Sequence, residues 1–211
     1  GATTVVVSGD YKLAPDPTCT PFEPVRCDTF VTESTFGLPI YRWEPPAVTM
    51  AAILDWWQGN RADGRASVLF AYALGKAQRI LAGLAPLQDA WPGPVFLHGA
   101  IDRLVQAYAA AGVALPPTRK VADAPPGTDW SQALILAPPS ARGSRWLTRF
   151  DPVATAFASG WMALRGPRRR ANLDRGFTLS DHADWPALNA AIAAAGAGEV
   201  WVTHGYREEL V

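Results

Sequence analysis

Residues 177–205, FTLSDHADWPALNAAIAAAGAGEVWVTHG, decide the fold. A short apolar run opens the stretch. Asp184 is then placed to accept hydrogen bonds at a helix start, and Pro186 suits a first turn that needs no donor there. An Ala–Gly run closes that helix before the β-branched EVWVT. The pattern predicts strand, helix, strand. Because a βαβ crossover joins parallel strands, the residues just past FTLS and EVWVT are expected on one edge of one sheet. Those residues are His182 and His204, two of only three histidines in the chain.

Working outward, TTVVVS at 3–8 reads as a buried strand stopped by Gly9 and Asp10. A Pro-rich loop follows, and DTFVTE at 28–33 reads as a second strand. From about residue 46 strands and helices alternate, as in an α/β layer on a parallel sheet. PPAVTMAAILDWWQ, GKAQRILAGL and AIDRLVQAYAAAG read as helices; ASVLFAYAL, PVFLHG, QALILAP and ATAFAS read as strands. The block 42–176 is therefore expected to be one Rossmann-like unit. No internal repeat or long low-complexity tract interrupts this order.

The composition narrows the class of protein. With 19 basic and 19 acidic residues the formal net charge is zero, which argues against a generally basic surface. A local anion site remains open, since LRGPRRRANLDRG gathers Arg165, Arg168, Arg169, Arg170 and Arg175. The plainer alternative is a solvated loop. No apolar run reaches the roughly 20 residues of a membrane span. Cys19 and Cys27 lack the spacing of a zinc knuckle and cannot build a disulfide framework. They are expected to be small buried hydrophobes, and a soluble protein of the reducing cytoplasm is the simplest reading. The opening GATTVVVSGDYK reaches a strand by its third residue with no Met or leader, as if it began inside a domain.

Four polar residues share one placement. Asp10, Glu33, His182 and His204 each stand at or just past the C-terminal end of an apolar strand, the edge where α/β sheets collect ligands. Two carboxylates and two imidazoles suit metal-assisted hydrolysis, in which some of them hold the metal and a further histidine moves a proton. Each also has a plainer reading: a hydrogen-bonded histidine, a turn aspartate, a loop glutamate. Asp181 and Asp184 read as turn and cap residues, and His98 as a structural residue at a helix start. Ser180, Asp181 and His182 are consecutive, so they cannot form a nucleophile–base–orienter triad. Trp56 and Trp57 read as core residues rather than base-stacking ones.

The motifs SGDYK, TESTFG, ALGKAQRIL, LSDHADW and VTHGY, in this order and spacing, resemble the metallo-β-lactamase/β-CASP nucleases, most closely the bacterial ligase-associated DNA exonucleases. The likeness covers nearly the whole chain. It implies an α/β fold: the C-terminal part of a metallo-β-lactamase αββα sandwich (1–41 and 177–211) with an inserted Rossmann-like β-CASP domain (42–176). It further implies two divalent metal ions, zinc by ligand type with manganese also open. Asp10 would bridge the metals, His204 would be a terminal ligand, Glu33 would orient His182, and His182 would protonate the leaving oxygen. Lys76, Arg79, Ser159 and Arg175 are the candidates for gripping the strand, because LGKAQRIL places backbone N–H groups at a helix start.

The same resemblance sets limits. The family's His-x-His-x-Asp-His motif is absent, so the chain looks like the C-terminal part of a longer protein, expected to bind metal poorly and cut nothing by itself. The expected partners are DNA and, functionally, a DNA ligase, with no membrane. A histidine at the VTHG position is commoner among RNA-cutting members, so 3′-end processing of RNA is the rival substrate. A non-catalytic nucleic-acid-binding fragment is the rival of another class. A small-molecule metallo-hydrolase is disfavoured, since the inserted block would have no role.

Overall fold

The computed structural model describes residues 2–164 and 173–210. Arg165, Arg168, Arg169 and Arg170 of the basic cluster lie outside the described residues. The chain is α/β with two all-parallel sheets, in two compact units. One unit comprises Gly1–Asp16, Thr20–Glu44 and Ser180–Val211; the other comprises Pro17–Cys19 and Pro45–Leu179.

The first unit holds a three-stranded sheet in the order β1 (Val5–Val7), β2 (Thr29–Ser34), β9 (Glu199–Gly205). Helix α4 (Trp185–Ala195) starts as its sequence dictates: Asp184 accepts from the Ala187 N–H at 3.0 Å and Pro186 occupies the first turn. Gly196, at φ +57, ends it in the left-handed conformation that residues with a Cβ avoid. Its Leu188 and Ala191 pack with Tyr11 and Ala183.

One expectation fails in this unit, and another fails at Cys27 here and at Cys19 of the other unit. β1 is not a buried strand: Val7 is 70 % exposed, and on the partner edge Trp201 is 59 % exposed. The register Val7, Val31, Trp201 lines these side chains on one face, since paired residues of parallel neighbours point the same way. Cys19 is exposed and Cys27 half-buried, so neither is a core residue.

The second unit is built on a six-stranded sheet ordered β5 (Arg119–Lys120), β4 (Val95–Leu97), β6 (Leu134–Ala137), β3 (Ala66–Phe70), β7 (Val153–Ala158), β8 (Arg175–Phe177). Its central strands β6 and β3 are buried at every position and apolar except for Ser67, because both faces are covered. Leu69, Leu97, Leu134 and Leu136 meet one core that includes Ile53 and Trp57 of α1 (Pro46–Ala62), Ile80 of α2 (Lys76–Leu84) and Ile101 of α3 (Gly99–Ala110). Val68, Phe70, Phe96 and Ile135 meet the opposite core, around Phe150. Trp56 and Trp57 are buried, and the Trp57 indole N–H donates to the Gln132 carbonyl at 3.0 Å.

The stretch that opens the sequence reading is divided between the two sheets. β8 pairs with β7 in the six-stranded sheet, whereas β9 pairs with β2 in the three-stranded one. The expected crossover between adjacent strands is therefore not formed. Phe177 and Leu179 are drawn instead into the large core around Trp57, and the units divide at 179/180. ASVLFAYAL likewise stops as a strand at Phe70; Ala71–Gly75 turn into α2.

A candidate metal centre

Asp10, Glu33, His182 and His204 all belong to the first unit. Past β1 the chain turns at Gly9, at φ +60, and presents Asp10 with its side chain more than half exposed. Glu33, near the end of β2, is only 1 % exposed. Its Oε1 accepts from the Tyr11 N–H at 3.1 Å, and its Oε2 accepts from the Thr35 N–H at 3.3 Å and from His182 Nδ1 at 2.8 Å. Burial pushes this carboxyl's pKa up, but the bonds from His182, Thr35 and Tyr11 outweigh it and hold the group below the usual glutamate value.

His182 is fixed from several sides. Its N–H donates to Ser180 Oγ at 3.0 Å, and its carbonyl accepts from the Trp43 indole at 3.0 Å. Phe36 lies edge-on, 5.9 Å between ring centres. Asp184 doubles as cap and anchor, accepting from the Trp43 N–H at 2.8 Å. An ionised carboxylate has only acceptors, so Nδ1 of His182 carries the proton toward Glu33. Nε2 is then the nitrogen on the Asp10 side, 4.0 Å from Oδ2.

A β-bulge aims His204. Thr32 pairs with Val202 and Ser34 with Gly205, so Thr203 and His204 stand opposite the single residue Glu33. Gly205 closes the bulge at φ +91, and the Tyr206 N–H donates to the Ser34 carbonyl at 2.8 Å. The Thr203 hydroxyl gives its proton to the Thr32 carbonyl at 3.2 Å, so it accepts from His204 Nδ1 at 2.9 Å. The lone pair of a neutral imidazole is then on Nε2, which lies 3.3 Å from Asp10 Oδ1 and 3.3 Å from Thr35 Oγ1. Two acceptor atoms at that separation repel unless Nε2 is protonated or a cation joins them.

The separation suits a metal. Two ligand atoms each about 2.0–2.1 Å from a tetrahedral zinc stand roughly 3.3–3.4 Å apart. Asp10, Glu33 and His204 offer ligand atoms within 4.8 Å of one another. Glu33 already accepts three hydrogen bonds, from the Tyr11 and Thr35 N–H groups and from His182 Nδ1, whereas Asp10 and His204 face each other across the shorter gap. Among the described residues, Asp10 and His204 are the two at zinc-like separation, one short of the three that catalytic zinc sites draw from protein.

The other four candidates belong to the second unit. Lys76 and Arg79 lie on α2 and are almost fully buried. The backbone N–H groups expected to face a phosphate are engaged: Lys76 donates to the Leu74 carbonyl, Ala77 to Tyr72 and Arg79 to Gly75. Ser159 is buried, accepts from the Trp161 N–H and gives its own N–H to the Phe177 carbonyl. Arg175 is exposed, its guanidinium 5.4 Å from the Phe177 ring centre. His98 is an N-cap: its Nδ1 accepts from the Ala100 N–H at 3.1 Å, and burial lowers its pKa. Sequence reasoning missed Thr35, Trp43 and the Tyr11 N–H. Thr35 alone had a visible signal, its place in TEST beside Glu33.

No protein-family model matches the chain. It is 31 % identical over 210 residues to a protein of Opitutus terrae named "Probable DNA ligase", an alignment that covers 98 % of this chain and 20 % of that protein. The chain thus spans about a fifth of the length of this relative. Among solved structures it is similar to a protein of unknown function from Enterococcus faecalis V583, with a TM-score of 0.58 and 13 % identity. That match covers 99 % of this chain and 54 % of the other, a likeness of fold alone.

Proposed function

We propose that this chain carries part of the catalytic centre of a metal-dependent nuclease of the metallo-β-lactamase/β-CASP type, acting as an exonuclease on DNA beside a ligase in repair. The carrying observation is a pair of ligand-type atoms, Asp10 Oδ1 and His204 Nε2 at 3.3 Å, beside a histidine held at 2.8 Å by a buried glutamate. The DNA assignment draws on the name of the Opitutus relative. Ligation itself does not transfer, because this chain aligns with a fifth of that protein.

In this reading Asp10 and His204 hold a divalent ion, zinc by ligand type, which would neutralise the phosphate and supply a hydroxide from bound water. Glu33 keeps the His182 ring in one tautomer and orientation. His182 gives a proton from Nε2 to the departing oxygen, and its backbone bonds to Ser180 and Trp43 keep that nitrogen in place. In this reading the remaining ligands are supplied by groups other than Asp10 and His204. Digestion of matched labelled DNA and RNA strands by a protein carrying this chain with those ligands tests the proposal. Metal-dependent loss of terminal nucleotides from DNA supports it, a clear preference for RNA reassigns the substrate, and metal-independent or absent cleavage overturns it.

The two-ligand count favours one second reading, a non-catalytic nucleic-acid-binding module. Two zinc ions held per molecule of this chain after dialysis would dismiss that reading.

A further inference from the structure

On β9 two polar neighbours bring their side chains together. Thr203 Oγ1 lies 2.9 Å from Nδ1 of His204, the next residue along the chain. Successive side chains of a regular strand point to opposite faces, so neighbours do not bond there. The bulge opposite Glu33 makes the contact available by breaking that alternation. The same hydroxyl reaches the carbonyl of Thr32, a residue with no exposed surface, at 3.2 Å. A hydroxyl has one proton to give. Given to the carbonyl, it leaves Thr203 as the acceptor for a proton on Nδ1.

The other ring nitrogen meets an opposing pull. Asp10 Oδ1, 3.3 Å from Nε2, is a carboxylate oxygen that would draw the ring proton to its own side. His204 would then bond to Asp10 directly, and the lone pair that a cation needs would be turned toward Thr203. Thr35 Oγ1, also 3.3 Å from Nε2, can donate or accept and so favours neither tautomer. Asp10 is more than half exposed, so water weakens its pull, whereas the bond from Thr203 to Thr32 is partly shielded. We infer that Thr203 is a positioning residue for the metal site: it holds the ring proton of His204 on Nδ1 and keeps the Nε2 lone pair open to a divalent cation beside Asp10. This inference rests on the metal-site reading above and deepens it. His204 thereby parallels His182, whose Nδ1 is held by Glu33 at 2.8 Å; in each case the group behind the ring decides what faces Asp10.

The test is nitrogen-15 NMR of the full chain labelled at histidine, at a pH where the rings are neutral. Without metal it reads the tautomer, and a titration with zinc reads the affinity. The chain has three histidines, and His204 is identified by the signals lost in His204→Ala. The wild type is expected to carry the proton on Nδ1 and to show His204 signals that move with zinc. Thr203→Val keeps the branched shape without the hydroxyl. It should shift the proton to Nε2 and weaken zinc binding roughly 10- to 100-fold, the usual cost of losing an outer-shell partner, and Thr203→Ser should restore both. A wild type with the proton on Nε2, or a Thr203→Val variant with unchanged tautomer and affinity, overturns the inference and leaves the metal site standing. Weakened binding without a change of tautomer, or without rescue by Thr203→Ser, shows a structural role in the bulge and overturns it too. Wild-type His204 signals indifferent to zinc overturn the metal site and the inference together.

Discussion

His182 Nδ1 lies 2.8 Å from Glu33 Oε2, and the glutamate that holds this bond is almost wholly removed from solvent. A buried carboxylate with three donors on it is satisfied only while it stays an acceptor. Glu33→Gln turns one of its oxygens into a donor that faces N–H groups. The variant should lose about 1–3 kcal/mol of stability, the cost of leaving a buried polar group unsatisfied. Urea denaturation checks this, and an unchanged midpoint would show that water reaches the site.

Metal binding should separate the two candidate ligands from Glu33 and His182. Zinc added in excess should raise the melting temperature of the wild type in proportion to the logarithm of its concentration, since it binds the folded state. With two ligands the binding is weak, so dialysis should strip the metal. Asp10→Ala and His204→Ala should each abolish the zinc-dependent rise, whereas His182→Ala should keep it. A rise that survives both ligand substitutions would move the zinc site elsewhere.

Legibility followed the range of the interactions. α4 and its cap were readable because Asp184, Pro186 and the Ala–Gly run act within one turn of where they stand. The alternation of strands and helices was readable because both faces of a parallel sheet demand apolar runs, and Asp10, Glu33 and His204 were readable because each is polar near the end of a strand of one sheet, whereas His182 stands well past β8 of the other sheet and was singled out on a strand end that is not there. What depended on pairing was not. Three β-branched valines look the same in an edge strand and in a core strand, so the exposure of β1 was hidden. The assignment of β8 and β9 to different sheets was hidden for the same reason, since neither sequence states its neighbour. The bulge that turns His204 toward Asp10 exists only as a mismatch of register between β2 and β9. Tyr72 falls within ASVLFAYAL, whose pattern predicts a strand, so its exposure is hidden in the sequence.

Tryptophan burial differs sharply along the chain and sets a contrast in stability. Trp57 is fully buried against Trp91 and within the core that includes Leu69, whereas Trp201 stands on the open face of the three-stranded sheet. Trp57→Ala should cost about 3–5 kcal/mol through lost burial and a cavity. Trp201→Ser should stay within about 0.5 kcal/mol. Thermal melts of both variants decide it, and a large loss at Trp201 would mean that this face is covered in solution.

Gly205 has two reasons to be glycine. Its φ of +91 is a conformation that L side chains rarely adopt, and a Cβ there would fall on the Ser34 carbonyl. Gly205→Ala should therefore cost at least about 1–3 kcal/mol and disturb the bulge that carries His204. Gly64→Ala, also at positive φ but with open space around its Cβ, should cost less. The zinc-dependent melting shift should disappear in the first variant and persist in the second.

Acid sensitivity should trace partly to Asp174 in the second unit. Burial raises its pKa, but the Thr155 N–H at 2.7 Å, the Arg65 guanidinium at 3.0 Å and the Thr155 hydroxyl at 3.1 Å outweigh that and hold it below the ordinary aspartate value of 3.8. A depressed carboxyl binds fewer protons folded than unfolded, so its contribution is complete above that ordinary value. The contribution is lost as pH falls through the lower, folded value. Asp174→Asn should lower the urea midpoint at neutral pH by a small amount, because the pair with Arg65 is partly exposed and screened. The gap between variant and wild type should close as pH drops below 3.8. A gap that stays constant through that range would assign the stabilisation to shape and hydrogen bonding rather than to the charge.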